Sequence, residues 1–204
     1  MFALLFVLGW SLVRWSPPLD ASDADLRAYV ESSTRRRASA IAGLYVLPLA
    51  GIAFIWFTAA LRDRLDRGAQ REHSMMSTVH LMAATLLVVS MFMMASIELA
   101  LVWRIESGAV DLAGARSTIA IGSAVSQLIA LRSGAVFVAV STTRGLRSGL
   151  FPKWFAIASY TMAVALMLVA SWWRLVLLAV PVWVVLTSWL VMSKRVHRRQ
   201  PVDA

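Results

Sequence analysis

Cysteine is missing from all 204 residues, which excludes disulfides, thiolate metal sites and thiol catalysis. Charge is scarce too: acidic and basic side chains make up 15% of the chain, against about 25% in an ordinary soluble domain. Histidine occurs only as His73, His80 and His197, and none falls at mid-span where a paired axial haem ligand would be needed. No phosphate-cradling glycine loop, dinucleotide fingerprint, nucleophile elbow or zinc spacing appears. No cofactor is therefore expected. The N-terminal run lacks the basic segment that opens a signal peptide.

What is abundant is apolar sequence. Hydrophobic residues form 59% of the chain, gathered in runs at 38–61, 75–103, 117–140 and 154–193 that are nearly free of charge. At about 1.5 Å per helical residue, each of the first three reaches across a hydrocarbon core of about 30 Å. The last block is too long for one crossing and divides at Trp172-Trp173-Arg174, where amphipathic rings beside a charge mark an interface. The expectation is one all-α polytopic domain over 1–204, with helices near 2–15, 38–61, 75–103, 117–140, 154–172 and 175–193. The first run, Phe2–Val13, is only about 18 Å long as a helix. It reads as a short transmembrane helix or one whose start lies further upstream.

Between the first two runs, Ser22 with Asp25 forms a capping-box pattern that predicts a surface helix over 23–33. Pro48 lies inside helix two and removes a backbone donor, so a kink is expected. Beyond that helix, Arg62/Asp66 and Asp63/Arg67 stand at i,i+4 and predict a salt-bridged continuation. Pro181 falls in the first turns of helix six.

The formal charge of +9 is not a nucleic-acid signature, because nearly all basic residues sit in loops or at helix ends. With six helices, eleven of them share a side with both termini and eight lie opposite. Positive charge thus favours cytoplasmic termini in a bacterial inner membrane. The Arg35-Arg36-Arg37 cluster opposes this; the tryptophans 15, 103, 172 and 173, each near an arginine at the outer boundary, agree with it.

Two ionisable residues fall within spans, Glu98 and Arg132. A charge at mid-span costs about 2.5–3.5 kcal/mol on insertion scales, so each needs a partner, water or an interface. Glu98, Gln127 and Arg132 form the candidate intramembrane polar site. Glu98 and Arg132 stand at different depths, which opposes direct pairing. Thr118, Gly122, Ser126, Ala130 and Gly134 recur every four residues as a stripe of small side chains that admits close helix packing. Contact within the chain is expected there ahead of self-association. On helix three, His80, Leu87, Met91, Met94 and Glu98 share one face, with the methionines read as adaptable packing.

The stretch Tyr45-Val46-Leu47-Pro48-Leu49-Ala50-Gly51-Ile52-Ala53-Phe54-Ile55-Trp56-Phe57 with Leu61-Arg62-Asp63-Arg64-Leu65, the segment Gly149-Leu150-Phe151-Pro152-Lys153-Trp154 and the region around Arg132 together resemble a group of small actinobacterial polytopic membrane proteins. The resemblance covers most of 38–192. It implies a multi-pass helical bundle with a full-length first helix and names no chemistry. The expected role is a non-catalytic accessory or scaffold component. Its partners are the lipid bilayer and other membrane subunits or a second copy, with no nucleic acid. The alternative is a small transporter or channel using Glu98, Gln127 and Arg132.

Overall fold

The computed structural model describes residues 1–13, 17–18, 20–67, 74–109, 111–168 and 174–197. Every regular element among them is helical. Helix α1 is Phe2–Val13 and α2 is Asp23–Glu31. Helix α3 runs unbroken through Ser33–Ile41, a π-helical stretch Ala42–Val46 and Leu47–Arg67. Helix α4 is Ser74–Glu106. Helix α5 comprises Leu112–Ala124, a second π-helical stretch Val125–Ala130 and Leu131–Arg147. Helix α6 is Lys153–Leu168. Helix α7 opens as a 3₁₀ turn, Arg174–Leu178, and continues as Ala179–His197.

Four of these, α3, α4, α5 and α7, are long and apolar enough to cross a membrane, while α1 and α6 are shorter apolar helices. Large apolar side chains face outward around the whole bundle, among them Leu4, Trp56, Ile157 and Trp189. A water-soluble monomer rarely exposes so broad an apolar surface. The four apolar helices fit an integral membrane protein.

The sequence boundaries are corrected at several ends. Helix α3 begins at Ser33, because the Ser32 hydroxyl accepts from the Arg35 N–H and opens the helix before the arginine cluster. The surface helix accordingly stops at Glu31, with its predicted Ser22–Asp25 capping box formed in both directions. The predicted continuation past Leu61 is present as part of α3, with Arg62 Nε 3.5 Å from Asp66; the Arg67 side chain lies outside the described residues. Helix α5 starts five residues earlier than expected, where the Asp111 carboxylate accepts from the Gly114 N–H at 2.7 Å. Positions 14–15 of the first predicted helix and 169–172 of the fifth, with the Trp172-Trp173 corner, lie outside the described residues.

Pro48 produces a π-turn directly ahead of it. The Leu47 N–H reaches back to the Ala42 carbonyl, a wider ring that passes the proline without breaking the helix. Pro181 falls on the third residue of the regular part of α7, at its junction with the 3₁₀ turn.

Helices α3, α4, α5 and α6 pack as sequential antiparallel neighbours. Helix α1 lies against α3 and α7, and α7 closes onto α5 and α6. The centre is a chain of rings: Phe2 on Phe54 at 4.9 Å, Phe54 on Phe137 at 5.0 Å, Phe137 against Trp183 at 5.9 Å, and Trp183 stacked on Phe155 at 6.3 Å. It joins α1, α3, α5, α7 and α6. Lipid is as apolar as these rings, so their association rests on packing, with each aromatic pair worth about 0.5–1.5 kcal/mol beyond area.

Close backbone approach decides the α3–α4 contact. A Cβ on Gly43 would stand 2.8 Å from the Ala95 carbonyl oxygen. Helix α2 lies across one end of the bundle, with Leu26 and Tyr29 packed against Leu101, Ala115 and Ile119 of α4 and α5. Asp23 holds it there through Arg116 at 2.5 Å. That guanidinium, by hydrogen bond and then by charge, keeps the Asp23 carboxyl below its ordinary 3.8. A depressed folded value means the contact contributes fully above that pH and is lost as pH falls through the folded value. Acidification below about 3.8 is thus expected to loosen α2 before the spans, read as faster amide exchange over 23–31.

Candidate functional site

Glu98 lies one turn before Leu101 on α4 and lines a cavity of about 80 Å³. Trp10 and Val13 of α1, Met94 and Ile97 of α4, and Leu177 of α7 close it on the apolar side. Thr118, Gly122, Ser123 and Ser126 of α5 form its small-residue wall. At 10–15 Å³ of such space per molecule, the volume admits a few waters. Two hydroxyls on this wall are turned to their own helix: Thr118 donates to Gly114 O and Ser126 to Ser123 O, each at 2.9 Å.

Arg132 is not in that cavity. Its guanidinium donates to the Gln127 carbonyl oxygen, five residues back on the same helix. The site exists because Val125–Ala130 is π-helical, and a π-turn opens the backbone ladder where a side chain can enter. Gln127, by its main chain, and Arg132 therefore form one local pair, and Glu98 belongs to another place. Of the three residues predicted to share a polar site, only two meet. Arg132→Leu is expected to change stability by less than about 1 kcal/mol, because the hydrogen bond it removes lies within one helix; an unfolding midpoint measured in detergent tests this.

The small-residue stripe meets two different helices. Gly122 faces Ile97 of α4, 3.4 Å from its would-be Cβ, whereas Gly134 faces Val180 of α7 at 3.2 Å. Thr118, Gly122 and Ser126 thus serve one contact and Gly134 another, with Ala130 buried between them. Both contacts lie within the chain.

No protein-family model, curated protein or solved structure matches this chain. Its chemistry has to be read from its own side chains.

The densest polar cluster lies at the opposite end from Glu98. Arg144 of α5, with 3% of its side chain exposed, pairs with Asp66 of α3, whose side chain is 48% exposed. Asp66 also holds Arg62, so two guanidiniums share one carboxylate. Above them His80 of α4 is fully buried, its Nδ1 3.0 Å from the Ser141 hydroxyl and its ring 4.8 Å from Phe137. Ser141 also donates to the Phe137 carbonyl at 2.6 Å, which leaves His80 Nδ1–H as the donor to the serine oxygen. That direction is the reverse of an activated nucleophile. His80 and Ser141 are a cross-link between α4 and α5.

Two further bonds tie α6. Thr143 meets the Tyr160 hydroxyl at 2.8 Å, and Trp183 Nε1 donates to Ser159 at 2.9 Å. Among the described residues no group of three or more histidines and carboxylates could hold a metal ion. In the sequence His80 shares a helix face with Leu87 and Met91, nothing there marks Ser141, and Arg144 reads as a loop charge. The available clue was spacing: Ser141 and Arg144 continue the buried face of Phe137 at i+4 and i+7.

Proposed function

We propose that the protein is a non-catalytic component of the bacterial inner membrane, an accessory or scaffold subunit that works through its helix surfaces. The observation that carries this reading is the dispersal of polar side chains. Glu98 stands in a small cavity at one end, Arg132 is served by its own helix, and the Arg62–Asp66–Arg144 and His80–Ser141 groups link helices at the other end. A conducting or transporting site needs such groups to converge on one route. Cross-linking groups make a rigid body with fixed outer faces, which is what an assembly partner requires.

Kinship with small actinobacterial membrane proteins and cytoplasmic termini belong to the same reading. Trp103 beside Arg104 and Trp154 beside Lys153, all exposed at opposite ends of the bundle, support two interfacial belts. The second reading is a small transporter or channel, favoured by the space beside Glu98.

Native mass spectrometry of the tagged protein, released gently from its own membrane, tests the choice. A second polypeptide or a second copy in fixed ratio is expected. A bare monomer that carries solute or ions into liposomes, with flux abolished in Glu98→Gln, would overturn the scaffold reading.

A further inference from the structure

Leu101 and Ile119 serve two neighbours at once. Both line the Glu98 cavity, and both pack against Leu26 and Tyr29 of α2. All four side chains are buried. A single apolar layer therefore lies between α2 and the cavity, and Glu98 stands one helical turn beneath it on α4.

Helix α2 is built to move as a unit. The Ser22–Asp25 box closes its N-terminus, and the Ser32 N–H closes its C-terminus on the Ala28 and Tyr29 carbonyls. Ser32 itself is extended, with φ −81° and ψ 99°, and its hydroxyl accepts from the Arg35 N–H to open α3. Its carbonyl accepts from the Arg36 N–H, the first full turn of that helix. Rotation about the Ser32 N–Cα bond leaves all of these bonds in place. Such element-terminal residues are where hinges absorb motion. Two polar contacts oppose the rotation. The Arg36 guanidinium donates to the Val30 carbonyl across the hinge. At the far end Asp23 meets Arg116 of α5, their side chains 66% and 41% exposed. An ion pair as open to water as this one is weak and readily broken.

We infer that α2 is a hinged lid over the Glu98 cavity, latched by Asp23 and Arg116, and that its opening admits water and water-borne solutes to the cavity. The latch is weak, the caps keep the lid helical when it swings, and the layer it covers is one side chain thick. The lid is independent of the scaffold reading: a subunit and a transporter can each carry it.

The absence of cysteine makes the test direct. Ser123→Cys places one thiol on the cavity wall, and Ser107→Cys places one at an exposed position beyond α4. Full-length protein in lipid nanodiscs is treated with aminoethyl methanethiosulfonate, and the adduct is followed by intact mass. Ser123→Cys is expected to react more slowly than Ser107→Cys, at a rate set by the fraction of open lid. Adding Asp23→Asn should speed the Ser123→Cys reaction about threefold. Adding Leu26→Ala should speed it more than about tenfold, with the Ser107→Cys rate unchanged by either. Ser126→Cys, on the same wall, is the second reporter if Ser123→Cys lowers the unfolding midpoint. A parent rate equal to that of Ser107→Cys means a cavity already open and overturns the lid. So does a rate that neither α2 variant changes. A rate raised by Leu177→Ala but not by Leu26→Ala puts the entrance beside α7 and overturns it as well.

Discussion

Gly145→Ala is expected to destabilise the protein by about 3 kcal/mol, at the upper end of overpacking costs. A Cβ at this position would stand 2.2 Å from Phe151 Cδ2 and 2.7 Å from its Cγ. The obstruction includes the root of the ring, so a rotamer change does not clear it. Backbone drift is opposed as well, because the Phe151 N–H donates to the Gly145 carbonyl at 2.9 Å and the ring is packed on Phe155 at 5.0 Å. The expected readout is a lower midpoint of unfolding by sodium dodecyl sulfate in mixed micelles. Phe151→Ala placed on top of Gly145→Ala should cost less than the two single changes added together, since the second change makes room for the first. Gly149→Ala provides the contrast. Nothing lies within 4 Å of that Cβ, but φ is +67°, so its cost is backbone strain of about 1–2 kcal/mol. A Gly145→Ala protein as stable as the parent would mean that the α5–α6 corner is looser than these distances require.

This corner also shows what the sequence carried. Gly149-Leu150-Phe151-Pro152-Lys153-Trp154 marked a resemblance without a chemistry, and its residues have structural duties. Gly149 turns the chain, Phe151 fills the space over Gly145, Pro152 stands before α6, and Trp154 is exposed beside Lys153. The other marked stretch behaves alike: Pro48 sits behind a π-turn, Ala50 and Phe54 are fully buried, and Trp56 faces outward. Hydropathy and length made the helices legible, because a span must satisfy its own backbone and present apolar side chains to lipid. The capping residues made α2 legible in the same way. The π-turns were not legible. Val125–Ala130 contains no proline, and an i,i+4 repeat drawn through it joins residues that face different helices. One such turn brings the Arg132 guanidinium to the Gln127 carbonyl, a contact that no spacing in the sequence marks. The Asp66–Arg144 pair was hidden for another reason. Its members lie 78 positions apart, and a loop-side arginine at a helix end reads as an orientation signal until the neighbouring helix is known.

That pair supplies the second large effect. Asp66→Ala is expected to destabilise the protein by about 2–3 kcal/mol, and Arg144→Met by clearly less. The asymmetry follows from burial. With Asp66 removed, a guanidinium only 3% exposed loses its counter-charge, and Arg62, which shared the carboxylate, becomes a like charge facing it. One Arg144 nitrogen, Nη1, already lacks a hydrogen-bond partner, so no other acceptor stands ready. Breaking a fully buried pair in this way costs about 3–5 kcal/mol; the half-exposed carboxylate lowers the figure, because water already screens one member. With Arg144 removed instead, Asp66 keeps water and Arg62, and the methionine chain fills the vacated space. The double variant should be more stable than Asp66→Ala alone, since no uncompensated charge remains, and a double-mutant cycle isolates that coupling. Unfolding midpoints of the four proteins decide it. Equal losses in the two single variants, adding without coupling in the double, would show that each side chain is held by different neighbours. The link between α3 and α5 would then rest on apolar packing alone. A larger loss for Arg144→Met than for Asp66→Ala would place the essential contact on the arginine's stem rather than its charge.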